Sequence, residues 1–155
     1  MNPKVYVETT IISYLAASSS RDPVTAGRQL ITERWWASRR PHYRLLISET
    51  VEAECLRGNL EMVERRKIFI AQASLFPLND EIMTLAGLLT GPGLVPEKAA
   101  SDAVHIAAAA VERCDYLLTW NFRHIANIRI RREVERMLVK HGYNGTLICT
   151  PEELI

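Results

Sequence analysis

Three acidic side chains stand where the chain is expected to turn out of a buried element. Glu8 closes the apolar run Val5-Tyr6-Val7, Glu54 follows Leu45-Leu46-Ile47-Ser48 in a helical stretch, and Asp102 opens the alanine-rich segment from Ala103 to Val111. Carboxylates that converge from distant parts of a chain repel one another, so a fold that gathers them normally holds a divalent cation there. The implied chemistry is a Mg²⁺ or Mn²⁺ site. Taken singly, each acid has a plainer explanation as a favourable charge near a helix N-terminus. Asp102 and His105 also form a D-x-x-H pair on one helix face that could ligate a metal. The competing reading of His105, and of His124, is a packed residue, since no further His or Cys completes a nitrogen-rich site.

The elements that must position these groups are legible as apolar runs. Lys4 to Glu8 is short, apolar on both faces and rich in β-branched and aromatic residues, the pattern of a central parallel strand. Thr9-Thr10 offer N-cap hydroxyls to a helix carrying Ile11, Ile12, Tyr14 and Leu15, and a second helix runs from Val24 to Ser38. Tyr43 to Ile47 is a second strand, with Ser48 as N-cap of a helix from Glu49 to about Arg57, stopped by Gly58. A helix from Leu60 to Ala73, a strand from Ser74 to Pro77 and a helix from Asp80 to Leu89 follow. After the Gly91-Pro92-Gly93 loop, Ser101 is placed to cap a helix reaching about Arg113, then Tyr116 to Thr119 is a strand and Phe122 to Ile125 a turn or short helix. Ile130 to His141 is an amphipathic helix, Leu147 to Cys149 a last strand, and Thr150-Pro151-Glu152-Glu153 has the form of a helix start. Strand and helix alternate throughout. The expected fold is α/β, a three-layer sandwich around a mostly parallel five-stranded sheet, in a single domain over 1–155.

Composition narrows the function classes. The 155 residues are 48% hydrophobic and 24% charged, with a formal net charge of +1, so no global attraction to a polyanion is expected and nucleic-acid contact would need local patches. No G-x-G-x-x-G follows the first strand and no G-x-x-x-x-G-K-S/T occurs, which disfavours dinucleotide and P-loop phosphate sites. Cys55, Cys114 and Cys149 lack C-x-x-C spacing and read as reduced core thiols. With no apolar leader or membrane-length stretch, a cytoplasmic location is expected. Trp35, Trp36, Arg39, Arg40, His42, Tyr43 and Arg44 interleave bases and aromatics as an RNA-stacking surface would, though tryptophans at helical spacing with Ile31 read more simply as core. Arg129, Arg131, Arg132, Arg136 and Lys140 read as the polar face of an amphipathic helix.

Five stretches together resemble a known family. Val-Tyr-Val-Glu-Thr-Thr-Ile-Ile-Ser-Tyr-Leu (5–15), Ile-Ser-Glu-Thr-Val-Glu-Ala-Glu-Cys (47–55), Ala-Ser-Asp-Ala-Val-His-Ile-Ala-Ala-Ala (100–109), Leu-Leu-Thr-Trp-Asn-Phe (117–122) and Cys-Thr-Pro-Glu-Glu-Leu (149–154) resemble, in order and spacing, the PIN-domain nucleases of the VapC toxin type. The resemblance implies a ribonuclease that hydrolyses RNA phosphodiester bonds with Mg²⁺ or Mn²⁺, paired with a protein antitoxin and assembled as a homodimer. It assigns metal ligation to Glu8, Glu54 and Asp102, hydroxyl support to Thr9 and Thr119, and a place in the catalytic site to Asn121. Two positions depart from the pattern. Glu8 stands where the family usually has Asp, and Asn121 where it often has a fourth carboxylate. An alternative reading is a catalytically weakened PIN-like module that binds RNA or protein. The apolar helical faces around Trp35-Trp36 or Ile82 to Leu89 are candidates for pairing two copies.

Overall fold

The computed structural model describes all 155 residues. Five strands form one sheet in the order β3-β2-β1-β4-β5, and every pairing is parallel. They are β1 (Lys4–Val7), β2 (Arg44–Ser48), β3 (Ser74–Phe76), β4 (Tyr116–Leu118) and β5 (Leu147–Cys149). Val5, Tyr6 and Val7 are successive and all buried, so both faces of β1 are covered, as an all-parallel sheet requires. The covering helices are α1 (Thr9–Ala16), α2 (Pro23–Ser38), α3 (Glu49–Cys55), α4 (Leu60–Ile70), α5 (Asp80–Leu88), α6 (Ala100–Val111) and α7 (Ile128–Lys140). Helix α1 packs on α2 and α4, α5 packs on α6, and α3 touches both groups. No helix is long and apolar enough to cross a membrane.

The strand order carries the functional geometry. From β1 the chain moves outward to β2 and β3 on one side, then returns to lay β4 on the other side of β1 and continues to β5. The order therefore reverses between β1 and β4, and in an open parallel sheet the crevice beyond the carboxyl ends of such a pair is where ligands bind. Val7 is in register with Leu118, so the next residues, Glu8 and Thr119, leave the sheet side by side.

Several local expectations are corrected. The N-cap of α1 is Glu8, whose side chain accepts from the Thr10 amide, so neither threonine caps the helix. Ser48 occupies the N-cap position of α3 without a capping bond, because its hydroxyl is turned to Tyr6. Helix α6 begins at Ala100, directly after a 3₁₀ turn over Glu97–Ala99, which places Ser101 inside the first turn. It ends on Arg113 at φ 53°, with Cys114 N–H donating to Ala109 O and Arg113 N–H to Ala110 O, a Schellman closure with arginine where glycine is usual. Residues 150–153 form a turn, not a helix. Glu153 reaches back to the Thr150 amide and hydroxyl, and the next residue, Leu154, accepts the Trp35 indole N–H at 2.7 Å.

Trp35 and Trp36 are buried, Trp35 stacked on Tyr43 and Trp36 edge-on to Phe69, so that helix face is core and unavailable for pairing two copies. On α5, Ile82, Leu85 and Ala86 are buried while Met83 and Leu88 remain outside. Cys55, Cys114 and Cys149 are free and buried, and burial pushes each thiol up to about 12, which keeps them unreactive.

Candidate active site

Glu8 is 2% exposed, and one of its oxygens carries its whole protein network. Oε2 accepts from the Thr10 amide at 3.1 Å, the Thr10 hydroxyl at 2.5 Å and the Thr119 hydroxyl at 2.8 Å. Thr119 sits at the mouth of β4 and its Oγ1 in turn accepts the Asn121 amide at 2.9 Å. The turn after β4 is thus tied to the end of β1 at the point where the strand order reverses.

Glu54 projects from α3. Its Oε1 accepts from the Thr9 hydroxyl at 3.0 Å and pairs with His105 Nε2 at 2.5 Å. His105 is wholly buried, and its Nδ1 lies 2.7 Å from the Tyr6 hydroxyl, which is itself 2.7 Å from Ser48 Oγ. Burial pushes the imidazole down, but the Glu54 hydrogen bond and the charges of Glu8, Glu54 and Asp102 outweigh it and hold His105 above the ordinary histidine value. His105 thus links Glu54 through Nε2 to Tyr6 through Nδ1, and Tyr6 in turn to Ser48. Burial would raise Glu54 as well, yet the His105 bond and charge, with Thr9, bring its carboxyl below the usual range.

Asp102, in the first turn of α6, pairs with His124 Nδ1 through Oδ2 at 2.8 Å, so its imidazole partner is the histidine of the post-β4 turn and not the His105 that follows it in sequence. Asn121 Oδ1 accepts the His124 amide at 3.0 Å and so shapes that turn. The pattern across the acids is common to all three. Each commits one oxygen to protein partners and leaves Glu8 Oε1, Glu54 Oε2 or Asp102 Oδ1 without one. The only sealed, unpartnered side-chain polar atoms are Arg40 Nε and Arg66 Nε, so none of these free oxygens is shut away from the cleft.

Of the residues named from sequence, Thr119 bonds Glu8, Thr9 bonds Glu54 and Asn121 bonds the His124 amide, while no three His, Cys, Asp or Glu side chains form a group that could hold a metal ion. Tyr6, Ser48, Thr10 and the two histidines are the additions. His105 is the packed helix residue that its place in α6 suggested, and its partner is Glu54, not the Asp102 three residues before it.

Glu8 has a testable electrostatic consequence. Burial raises its carboxyl above the ordinary range despite the charge of His105 and the three threonine bonds. The native state then holds a proton that the unfolded chain has already released. Stability falls as pH rises from the ordinary carboxylate value through the folded one, and the deficit persists at neutral pH. Glu8→Gln, which keeps an acceptor for Thr10 and Thr119, is expected to melt higher than the parent in chelator at neutral pH. The two should converge below the ordinary carboxylate value. A Gln variant that melts lower at neutral pH would show that the buried carboxylate is not under strain.

No protein-family model matches the chain, and no curated protein matches it significantly by sequence. Solved structures do match. VapC20 of Mycobacterium tuberculosis, described as a sarcin-ricin loop cleaving toxin, superposes with a TM-score of 0.58 at 15% identity, covering 91% of this chain and 97% of that one. VapBC2 of Rickettsia felis, solved with a DNA fragment from its promoter, matches at 0.53 and 14% identity, over 95% and 98%. VapBC-1 of nontypeable Haemophilus influenzae matches at 0.50 and 20%, over 83% and 93%. This chain has the PIN-like fold of the VapC toxins. On that fold Glu8 and Thr119 stand at the carboxyl edge between β1 and β4, with Glu54 on α3 and Asp102 in the first turn of α6.

Proposed function

We propose that the chain is a metal-dependent endoribonuclease, the toxin of a toxin–antitoxin pair, acting at the carboxylate cluster between β1 and β4. The observation that supports the reading is that Glu8, Glu54 and Asp102 each anchor one carboxylate oxygen on the protein and leave the other free, while all three act electrostatically on His105. The fold likeness supports it, since VapC20 is described as a sarcin-ricin loop cleaving toxin and the other two neighbours are VapBC proteins. The same reading takes a protein antitoxin as partner, a homodimer as the assembly and the cytoplasm as its place.

The donors fit Mg²⁺ or Mn²⁺ in kind, being hard carboxylate oxygens. No three His, Cys, Asp or Glu side chains are arranged as a ready-made metal cage. Mg²⁺ does not need one, because it is usually held by one or two carboxylates and keeps several waters. Glu8, Glu54 and Asp102 would hold it through their free oxygens, and when bound it supplies Lewis acidity toward the phosphate and a more acidic attacking water. The chain's own contribution is positioning. Thr10 and Thr119 fix Glu8, His105 and Thr9 fix Glu54, and His124 fixes Asp102. Asp102 or Glu54, each with an unpartnered carboxylate oxygen, would accept the proton of the attacking water.

A second reading, a PIN-like module that binds RNA or protein without cleaving, draws on the two carboxylate–imidazole pairs, which already occupy one oxygen of Glu54 and one of Asp102 without any metal. Thermal melting separates a metal site from its absence. A ligand at 100 times its Kd that binds only the native state stabilises it by about 2.7 kcal/mol, so melting should rise in millimolar Mg²⁺ or Mn²⁺ and fall back in chelator. A melting curve indifferent to both would remove the metal from the mechanism.

A further inference from the structure

Near the carboxylates lies a feature the cleavage chemistry does not use. Arg28, on α2, holds its guanidinium carbon 4.8 Å from the centroid of the Phe122 ring and 5.5 Å from that of Trp120. It forms neither an ion pair nor a side-chain hydrogen bond, whereas Arg65 and Arg136 each pair with a glutamate on their own helix. The acid nearest in effect, Asp22, spends its carboxylate on the Thr25 amide and hydroxyl, both at 2.8 Å. Arg28 is therefore ordered by aromatic faces alone, with its planar set of donors unspent.

The support beneath it is rigid. Trp120 is buried, its indole N–H donates to Thr32 Oγ1 at 2.7 Å, and Thr32 donates back to the Arg28 carbonyl at 2.6 Å. The Trp120 amide donates to the Thr10 hydroxyl at 2.9 Å, the same hydroxyl that holds Glu8. Phe122 is 40% exposed, with its ring 6.2 Å from that of Trp120. It belongs to the turn whose Thr119 bonds Glu8 and whose His124 bonds Asp102. A hollow of about 480 Å³ also borders Phe122, but there Glu152 and Glu153 outnumber Arg131, whose guanidinium is set against Glu153 at 3.8 Å, whereas Arg28 has no ion-pair partner.

We propose that Arg28 and Phe122 form a platform on which an unpaired nucleotide of an RNA substrate stacks, with a phosphate of the same strand on the guanidinium edge. The inference rests on the nuclease reading and gives it a substrate class, single-stranded or loop RNA. Unpaired bases stack on aromatic rings and guanidinium planes, and arginine presents phosphate with paired donors that lysine lacks. Duplex RNA, with its bases already stacked, offers the platform nothing.

The test is fluorescence anisotropy of a labelled single-stranded RNA oligonucleotide with the full chain in chelator, over a range of KCl, joined to steady-state cleavage in Mn²⁺. Phe122→Ala and the volume-keeping Phe122→Leu are expected to weaken binding about ten-fold, leave the salt dependence unchanged and lose their effect on an abasic oligonucleotide. Arg28→Ala should weaken binding and make the slope of log K against log salt shallower by about 0.7, whereas Arg28→Lys keeps the slope and loses affinity. In cleavage the change should fall on KM and not on kcat. If the parent cleaves RNA with metal while all four variants bind and cleave as it does, the platform is overturned and the nuclease reading stands. A parent that neither binds nor cleaves RNA overturns both. Equal losses on duplex and single strand would overturn the assignment to unpaired RNA.

Discussion

Asp102→Asn is expected to abolish the proposed metal-dependent RNA cleavage and to leave the fold standing. The substitution is isosteric, so Oδ1 and the turn around His124 can keep their places, but the side chain no longer carries charge toward a cation or accepts a proton from the attacking water. Loss of a positioned base alone amounts to about 10²–10⁴-fold, and loss of a metal ligand adds to it. Parent and variant purified side by side, assayed on the same RNA with Mn²⁺ and with chelator, provide the measurement. A variant as active as the parent would make Asp102 an ordinary helix N-terminal acid, and the proton acceptor would have to be sought elsewhere.

The largest effect on stability is expected at His105. Alanine there suits the helix on propensity, yet it strips Glu54 and Tyr6 of their imidazole partner while opening a void in a wholly buried position. Breaking a buried ion pair from one side destabilises by roughly 3–5 kcal/mol. Urea denaturation of His105→Ala in chelator should show a loss of about that size. A loss below roughly 1 kcal/mol, within the range of ordinary substitutions, would mean that the imidazole is a passive filler.

The sheet was readable because its strands are apolar on both faces. Val5-Tyr6-Val7 and Leu45-Leu46-Ile47 have no polar alternation to confuse them, and the helices between them announce a parallel arrangement. The position of Glu8 was readable for a related reason, since it follows the apolar run of β1 and so leaves the sheet at its carboxyl edge, beside Thr119. Hydrogen-bond partners were not readable. Thr10 was assigned as a cap when the cap is Glu8, and Ser48 was assigned as a cap when its hydroxyl faces Tyr6. Those roles depend on which side chains from distant segments compete for the same donor. Likewise, three-residue spacing put His105 on the face of Asp102, but the fold turned each toward a partner from another element, Glu54 from α3 and His124 from beyond β4.

The capping bond of α1 has one further consequence. Because Glu8 Oε2 accepts the amide proton of Thr10, a backbone proton sits one hydrogen bond away from the carboxylate at the heart of the cleft. Its chemical shift, and the rate at which it exchanges with solvent deuterium, will follow the electrostatic state of that carboxylate. The amide of Thr10 is therefore a built-in spectroscopic gauge, able to register protonation or cation uptake at Glu8 in a protein that is not turning over and has been given no substrate.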